Sequence, residues 1–145
     1  MRGFLLTSAA LFAAATVVAC ITGSENGPMP VTPPPTTESF MGTVQVGGSD
    51  SNVFNVLYSG QVSITLTAAG PPPTIMVGLA IGQPAAAGSP VCTPLNGTGA
   101  TVQTAAGPNP QIQGTVQAAG IYCVKVSDIG QETGPITYAV TVIHP

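Results

Sequence analysis

The sequence predicts an all-β protein: a two-sheet antiparallel β-sandwich of seven or eight strands, preceded by an export signal and a disordered tether. Three observations predict it. From Ser39 to Pro145 apolar residues recur at every second position, Gly- and Pro-rich stretches separate these runs, and no segment there carries a helical apolar stripe. Strict alternation is typical of antiparallel strands with one buried face. A region of about 107 residues is long enough to bury one core.

Residues 1–19 have the pattern of a signal peptide. Arg2 supplies a positive charge, and the run that follows is apolar or small up to Ala19. A transmembrane helix is the alternative, but this run of about 17 residues is short for a span that needs roughly 20. We therefore interpret the segment as an export signal that does not belong to the folded domain.

The end of this run predicts a lipid anchor. Val17-Val18-Ala19-Cys20 resembles the lipobox of bacterial lipoproteins, in which small residues precede a Cys. The resemblance implies that the Cys20 thiol receives a diacylglyceryl group and that cleavage makes Cys20 the first mature residue. It implies an exported protein, lipid-anchored to the bacterial cell membrane or outer membrane. Plain secretion and a signal anchor are the alternatives.

Residues 20–38 are predicted to be a tether between this anchor and the domain at 39–145. The segment holds five Pro and four Thr and shows no periodicity. Extended polyproline chain rises about 3.1 Å per residue, so the tether could hold the domain up to ~60 Å from the membrane.

The cysteines predict one disulfide. Three Cys are an odd number for an exported protein, and lipidation of Cys20 leaves Cys92 and Cys123 as a pair. Two unpaired buried thiols are the alternative. Cys123 lies opposite the apolar face of its predicted strand, so the bridge should hold the 82–110 segment over the outer side of that strand. The two Cα atoms should then lie within about 7 Å of each other.

The alternating runs define the predicted strands and their buried faces. Ser59-Gly60 is predicted to be a two-residue hairpin. The segment 82–110 is predicted to be a long loop with one short strand near residues 101–103. The residues expected to face the core are Val44, Val46, Phe54, Val56, Tyr58, Val62, Ile64, Leu66, Ile75, Val77, Leu79, Ile81, Ile112, Val116, Tyr122, Val124, Val126, Ile136, Tyr138, Val140 and Val142.

The charge content excludes several functions. Only 5% of residues are charged and there are two basic residues, too few to neutralise a nucleic-acid backbone. The one His, His144, has no nucleophile or carboxylate placed by a motif, so we interpret it as a strand-end residue. We expect no catalytic residue, no cofactor and no enzymatic activity.

Three carboxylates fall in predicted loops: Asp50, Asp128 and Glu132. Solvated turn residues are the expected interpretation and a calcium site is the alternative; no metal site is predicted. Three tyrosines, Tyr58, Tyr122 and Tyr138, are expected in the core, with stacking on sugar rings as the alternative. Asn96-Gly97-Thr98 is a formal glycosylation sequon that we interpret as a turn.

Three segments together resemble the bacterial pre-peptidase C-terminal domain. They are Phe54 with Ser59-Gly60-Gln61-Val62, the strand 120–126 with Gly120 and Tyr122, and the strand 138–142 that begins at Tyr138. The resemblance covers about the last two-thirds of the chain. It implies a jelly-roll-like β-sandwich without catalytic activity, a domain that in its family usually follows a secreted peptidase.

The sequence therefore predicts a non-enzymatic, lipid-anchored cell-envelope protein with a structural or adhesive role. The membrane is the expected partner through the N-terminal lipid, and an envelope polysaccharide or protein is a further candidate. The alternatives are a carbohydrate- or peptide-binding module and an accessory domain of a secreted hydrolase. An exposed aromatic pair on one sheet face would favour carbohydrate binding.

Overall fold

The computed structural model describes residues 32–145, and every regular element in this range is a β-strand. Residues 1–31, with the predicted signal peptide and Cys20, lie outside the described residues. The strands are β1 (Thr36–Val44), β2 (Ser49–Val56), β3 (Gly60–Gly70), β4 (Val77–Pro84), β5 (Cys92–Pro94), β6 (Thr101–Thr104), β7 (Ile112–Val116), β8 (Gly120–Ser127) and β9 (Ile136–His144).

These strands form two antiparallel sheets. The four-stranded sheet has the order β1-β9-β3-β7, and the five-stranded sheet has the order β2-β8-β4-β5, with β6 also paired to β4. Only β4, β5 and β6 are successive strands of one sheet; every other connection crosses between the sheets. The predicted two-sheet antiparallel β-sandwich is confirmed, with nine strands instead of seven or eight.

The core lies between the two sheets and contains the residues that the alternation predicts. In β3, Val62, Ile64 and Leu66 are buried while the residues between them face outward. Two predicted core residues are exceptions. Tyr58 follows the end of β2 and is only half-buried, and Val46 lies in the turn after β1 and is exposed, because the strand already ends at Val44. The buried cluster consists of Val44, Phe54, Val56, Val62, Ile64, Leu66, Ala69, Ile75, Val77, Leu79, Ile81, Ile112, Val116, Tyr122, Val124, Val126, Ile136, Tyr138, Val140 and Val142.

The predicted hairpin at Ser59-Gly60 is wrong. β2 pairs with β8, whereas β3 pairs with β7 and β9, so residues 57–59 connect the two sheets. The physical reason is that β2 and β3 each have one apolar face, and placing them in opposite sheets turns both faces toward one core. Alternation predicts which face of a strand is buried, but it does not say which strand is its neighbour.

The predicted loop over 82–110 is partly wrong. The short strand expected near 101–103 is present as β6, but β4 extends to Pro84 and β5 occupies Cys92–Pro94. β5 is held by backbone pairing with β4, in which Cys92 lies opposite Pro84, so it needs no apolar alternation of its own. The Asn96-Gly97-Thr98 sequence lies in an exposed turn between β5 and β6, as interpreted.

The boundary between tether and domain differs by three residues. β1 begins at Thr36, so the last three residues assigned to the predicted tether belong to the sheet. Glu38 shares the inward parity of Phe40, Gly42 and Val44. The alternation therefore starts earlier than the first residue of the predicted domain.

The first described residues lie at one end of the sandwich, which is called the tether end. Thr32 and Pro33 line a cavity there with Tyr58, Ser59 and Pro145. Three strands end here and three begin here. The ends are Val56, Val116 and His144, and the starts are Thr36, Gly60 and Gly120. The opposite end, called the far end, carries the β1–β2 turn and the β8–β9 loop.

Candidate functional site

Cys92 and Cys123 form a disulfide, and their Cα atoms lie 5.9 Å apart. Cys123 lies in β8 between Val53 of β2 and Gly82 of β4, and Cys92 begins β5. Both half-cystines are buried, Cys123 with only 1% of its surface exposed. The predicted disulfide is confirmed, together with the limit of about 7 Å on its Cα separation.

The disulfide fixes the β4–β5 hairpin over the outer side of the five-stranded sheet. The Ser51 hydroxyl on β2 donates a hydrogen bond to the Pro90 carbonyl at 2.5 Å, so the hairpin reaches across to the edge strand. The amide of Ala85 donates to the carbonyl of Val91 at 2.9 Å and closes the hairpin. The segment therefore lies where the parity of Cys123 predicted it.

Asp128 ties the β8–β9 loop to the β1–β2 turn. Its Oδ2 accepts a hydrogen bond from the Gly47 amide at 2.7 Å, and its Oδ1 accepts from the amides of Gly130 at 2.6 Å and Gln131 at 3.2 Å. The Gly47 amide is the largest cause of a lowered Asp128 pKa, because it stabilises the ionised carboxylate. These contacts fit the predicted turn role of Asp128.

Glu132, in the same loop, has the opposite environment. It is 6% exposed, and among residues 32–145 neither carboxyl oxygen has a hydrogen-bond partner. Burial raises the pKa of Glu132, and the nearby negative charge of Asp128 raises it further. A buried carboxyl without a partner is costly to ionise, so it opposes folding at neutral pH.

Glu132→Gln should remove this pH-dependent penalty. Because the folded-state pKa lies above the ordinary value of 4.5, the folded protein binds more protons than the unfolded chain, and stability falls as pH rises through that window. The amide of Gln does not titrate there. Urea unfolding at several values from pH 4 to pH 7 should show a falling free energy of unfolding for the parent chain and a flatter curve for the variant.

Asp128 does not obscure this comparison. Its ionised form stabilises the folded state instead of destabilising it, and it titrates at lower pH than Glu132. Its pKa is lowered below 3.8, so the stability it contributes is lost only as pH falls through that lowered value. Parallel curves for the two proteins above pH 4.5 would contradict the assignment to Glu132.

The three carboxylates considered for calcium do not come together. The prediction that Asp50 lies in a loop is wrong: it lies in β2, where its backbone pairs with Val126. Its side chain points inward and approaches Tyr138, away from the β8–β9 loop. Within residues 32–145, no three His, Cys, Asp or Glu side chains are grouped closely enough to hold a metal ion.

A polar cluster lies between β2 of the five-stranded sheet and β9 of the four-stranded sheet. The Tyr138 hydroxyl donates to Asp50 Oδ2 at 2.9 Å and accepts from Asn52 Nδ2 at 2.8 Å. Burial raises the pKa of Tyr138, and the Asp50 carboxylate raises it further. Gly42 of β1 covers the cluster, since a Cβ there would collide with Asp50 Oδ2. The cluster is a satisfied hydrogen-bond network, which lets polar groups sit in a sandwich core.

His144 has a comparable structural environment at the tether end. It is 2% exposed, its Nε2 lies 2.9 Å from Glu38 Oε1, and its Nδ1 lies 3.1 Å from the Pro145 carbonyl oxygen. Its ring centroid is 5.2 Å from that of Phe54. Both ring nitrogens thus face oxygen acceptors. The contact with Glu38 was not predicted, because the predicted tether includes residue 38. The signal for it is that Glu38 has the same inward parity as Val44, which indicates that the strand begins before Ser39.

The tyrosines do not form a stacking platform in the described chain. Tyr122 and Tyr138 are buried, as predicted, and Tyr122 donates its hydroxyl to the Ala118 carbonyl at 3.0 Å. Tyr58 is half-buried in the β2–β3 connection. Residues 32–145 therefore offer no exposed aromatic pair on a sheet face, the feature that would favour carbohydrate stacking.

An open groove of about 770 Å³ crosses the outer face of the four-stranded sheet toward the far end. Its walls come from Met41 on β1 and from Pro71 and Pro73 after β3, and Ala68 and Ala139 lie between them. A register shift between Leu66 and Ala68 in the β3–β9 pairing marks a bulge there. The lining side chains are uncharged and mainly apolar, which suits an uncharged extended segment.

The rest of this face is uncharged as well. Outward-pointing side chains alternate with the buried ones along each strand, and most of them are Thr, Ser or Ala; the others are Met41, Gln61, Gln113 and Ile143. Ser39 and Thr141 lie side by side across β1 and β9, with their hydroxyl oxygens 3.4 Å apart. The outward residues are Thr37, Ser39, Met41, Thr43, Gln61, Ser63, Thr65, Thr67, Ala68, Gln113, Thr115, Thr137, Ala139, Thr141 and Ile143.

No helix in residues 32–145 is long and apolar enough to cross a membrane.

Comparison with known proteins adds no family assignment. The chain matches no protein-family model and no curated protein sequence.

Proposed function

We propose that this chain is a non-enzymatic, lipid-anchored protein of the bacterial cell envelope, with a structural or adhesive role. Export and anchoring rest on the apolar run before Cys20 and on its resemblance to a lipobox. The domain carries its partner surface on the outer face of the four-stranded sheet. Its pre-peptidase C-terminal character rests on the three segment resemblances at Phe54, Gly120 and Tyr138.

The observation that supports this role best is the uncharged outer face of the β1-β9-β3-β7 sheet. Rows of Thr, Ser and Gln offer hydroxyl and amide groups that exchange hydrogen bonds with neutral polymers as readily as with water. The absence of charge from these rows means that attraction to a partner does not depend on ionic strength. Such a surface suits contact with neutral envelope polymer or protein.

The environment of His144 supports a non-enzymatic role. A catalytic base must reach a nucleophile or a substrate proton. Here Nε2 is held by Glu38 and Nδ1 by the Pro145 carbonyl, and the ring is buried against Phe54. The geometry makes His144 part of the packing between β1, β2 and β9.

Cys20→Ala should abolish membrane anchoring. Only a thiol can accept the diacylglyceryl group, so the variant should lose incorporation of labelled fatty acid and leave the membrane fraction. Ser24→Ala, a small polar change outside the lipobox-like residues, is the matched control and should behave like the parent chain. Continued partitioning of Cys20→Ala into detergent would contradict the anchor.

Retention of the tagged full chain on envelope fragments tests the adhesive face. Thr65→Lys places a charge in the centre of the uncharged rows, beside Thr141, and should reduce retention. Asn55→Lys, exposed on the other sheet, is the control and should not. Unchanged retention with a charge at Thr65 would contradict a role for the hydroxyl-rich rows of this face.

A peptide-binding role is the second candidate, and the apolar groove favours it. Ala68→Lys places a charge in the groove, three residues along the same strand from Thr65. Loss of retention with Ala68→Lys but not with Thr65→Lys would identify the groove, instead of the hydroxyl-rich rows, as the contact.

A further inference from the structure

The tether end exposes two large apolar side chains on the five-stranded sheet. Leu57, which follows β2, is 65% exposed, and Ile121, near the start of β8, is 49% exposed. Val56 pairs with Gly120 and Asn55 with Ile121, so Leu57 lies two residues beyond the position opposite Ile121, at the same end of the sheet. The Leu57 amide donates to the Pro145 carbonyl at 3.5 Å, which places Leu57 beside the cavity lined by Thr32.

Tyr58 adds an amphipathic ring to the same end. It is half-buried and lines that cavity with Thr32 and Pro33. Tyr side chains are enriched where a protein surface meets lipid headgroups, since the ring is apolar and the hydroxyl is polar. Leu57, Tyr58 and Ile121 together are called the apolar tip.

The charges of the described chain are unevenly distributed between the two ends. Asp128 and Glu132 lie in the β8–β9 loop at the far end, and Asp50 lies opposite Val126 near that end. Lys125, the one Lys or Arg of residues 32–145, lies beside Val126 in β8, so three acidic groups and one basic group leave this end with a formal charge of −2. Glu38 is the one acidic residue of 32–145 near the tether end, and its Oε1 is paired with His144. An anionic headgroup surface would therefore repel the far end and tolerate the tip.

We infer that the apolar tip rests on the lipid surface that holds the protein. This inference depends on the proposed lipid anchor at Cys20. Eleven residues separate Cys20 from Thr32, and a fully extended chain of that length reaches roughly 40 Å at most. The anchor therefore confines the tip to a thin layer above the bilayer, where even a weakly binding surface is occupied because its effective concentration is high.

This contact would orient the whole domain. With the tip on the lipid, the far end and the adjoining groove point away from the membrane, toward the partners that the proposed function requires. Lipid contact then explains why Leu57 and Ile121 are apolar although they are exposed, since they belong neither to the core nor to the proposed partner face on the other sheet.

The chain contains no Trp, so a single introduced Trp reports its own surroundings. Lipidated full-length Leu57→Trp should be reconstituted in vesicles of phosphatidylcholine and phosphatidylglycerol, with and without brominated acyl chains. Its emission should shift to the blue and lose intensity on the brominated lipid. Val46→Trp, in the β1–β2 turn at the far end and 54% exposed in the parent chain, should show neither change.

The outcomes separate this inference from the anchor itself. Protein that floats with the vesicles while Leu57→Trp stays unquenched overturns the tip contact and leaves the anchor intact. A blue shift without bromine quenching means that another copy or protein covers the tip, and it also overturns the inference. Failure to float overturns the anchor and the inference together. Ile121→Trp is the second reporter if Leu57→Trp does not fold.

Discussion

Replacing Cys92 and Cys123 together by Ser should lower the free energy of unfolding by at least about 3–4 kcal/mol, the contribution of the cross-link itself. The bridge spans a sequence separation of 31 residues, and the chain-entropy model assigns roughly that stabilisation to a loop of this length. Typical domains are stable by only about 5–15 kcal/mol, so the loss is a large share of the total. At about 4 °C for each kcal/mol, the cross-link contribution alone should lower the melting temperature by roughly 12–16 °C.

The loss should be local before it is global. The β4–β5 hairpin has few anchors besides the disulfide: the short β5 pairing with β4 and the bond from Ser51 to the Pro90 carbonyl. Without the bridge, limited proteolysis should cut first within residues 84–92. Reduction of the parent chain should reproduce both effects, and reductant should not affect the double variant.

A second double variant separates chain entropy from burial. Ser hydroxyls at these two buried positions lose water without a designed partner, which adds a cost of its own. Cys92→Ala with Cys123→Ala avoids that cost, so its loss should consist of the cross-link contribution and the packing of the two removed sulfur atoms. An unchanged melting temperature in the Ala variant would show that the hairpin is held without the bridge.

The inward faces of the strands could be predicted because burial acts on every second residue. Val62, Ile64 and Leu66 illustrate this, since each must leave water while its neighbours stay solvated. The same parity placed Cys123 on the outer side of β8 and so gave the position of the disulfide. This prediction did not depend on how far apart Cys92 and Cys123 are in sequence, because the parity of a residue within its strand decides which side of the sheet it faces.

Strand partners could not be predicted in the same way. The connection after Leu57 crosses to the other sheet, and nothing in residues 57–60 distinguishes such a crossing from a hairpin. β5 has three residues and no alternation, so only its pairing to β4 defines it. The Glu38–His144 contact joins the first and last strands of the described chain, 106 residues apart in sequence, and such long-range pairs have no local signature.

Gly82 illustrates a constraint that is visible only in three dimensions. It lies in β4 opposite Pro94 of β5 and Cys123 of β8. A Cβ at this position would collide with the Thr93 carbonyl and lie 2.9 Å from Cys92 Sγ. The missing side chain is what allows β5 to approach closely enough for the bridge, and the sequence shows it only as one Gly among 18.

Gly82→Ala should therefore destabilise the domain by about 3 kcal/mol, the upper end of the usual range for overpacking, because the atoms it meets belong to backbone and to a cross-linked sulfur. Gly114→Ala in β7 is the matched control. A Cβ there has no neighbour within 4 Å, so it should stabilise by roughly 0.4–1 kcal/mol through the unfolded chain. Equal effects of the two substitutions in urea unfolding would contradict the close approach.

A double-mutant cycle with the disulfide tests the cause of this effect. In the parent chain, β5 cannot move away from a new methyl group at residue 82, because the bridge fixes Cys92 to Cys123. In the Cys92→Ala, Cys123→Ala background, the hairpin can shift outward, so Gly82→Ala should cost clearly less. The difference between the two costs is the coupling energy, and residues in contact commonly show about 0.5–3 kcal/mol. If the cost were the same in both backgrounds, strain against the cross-linked β5 would not be its source.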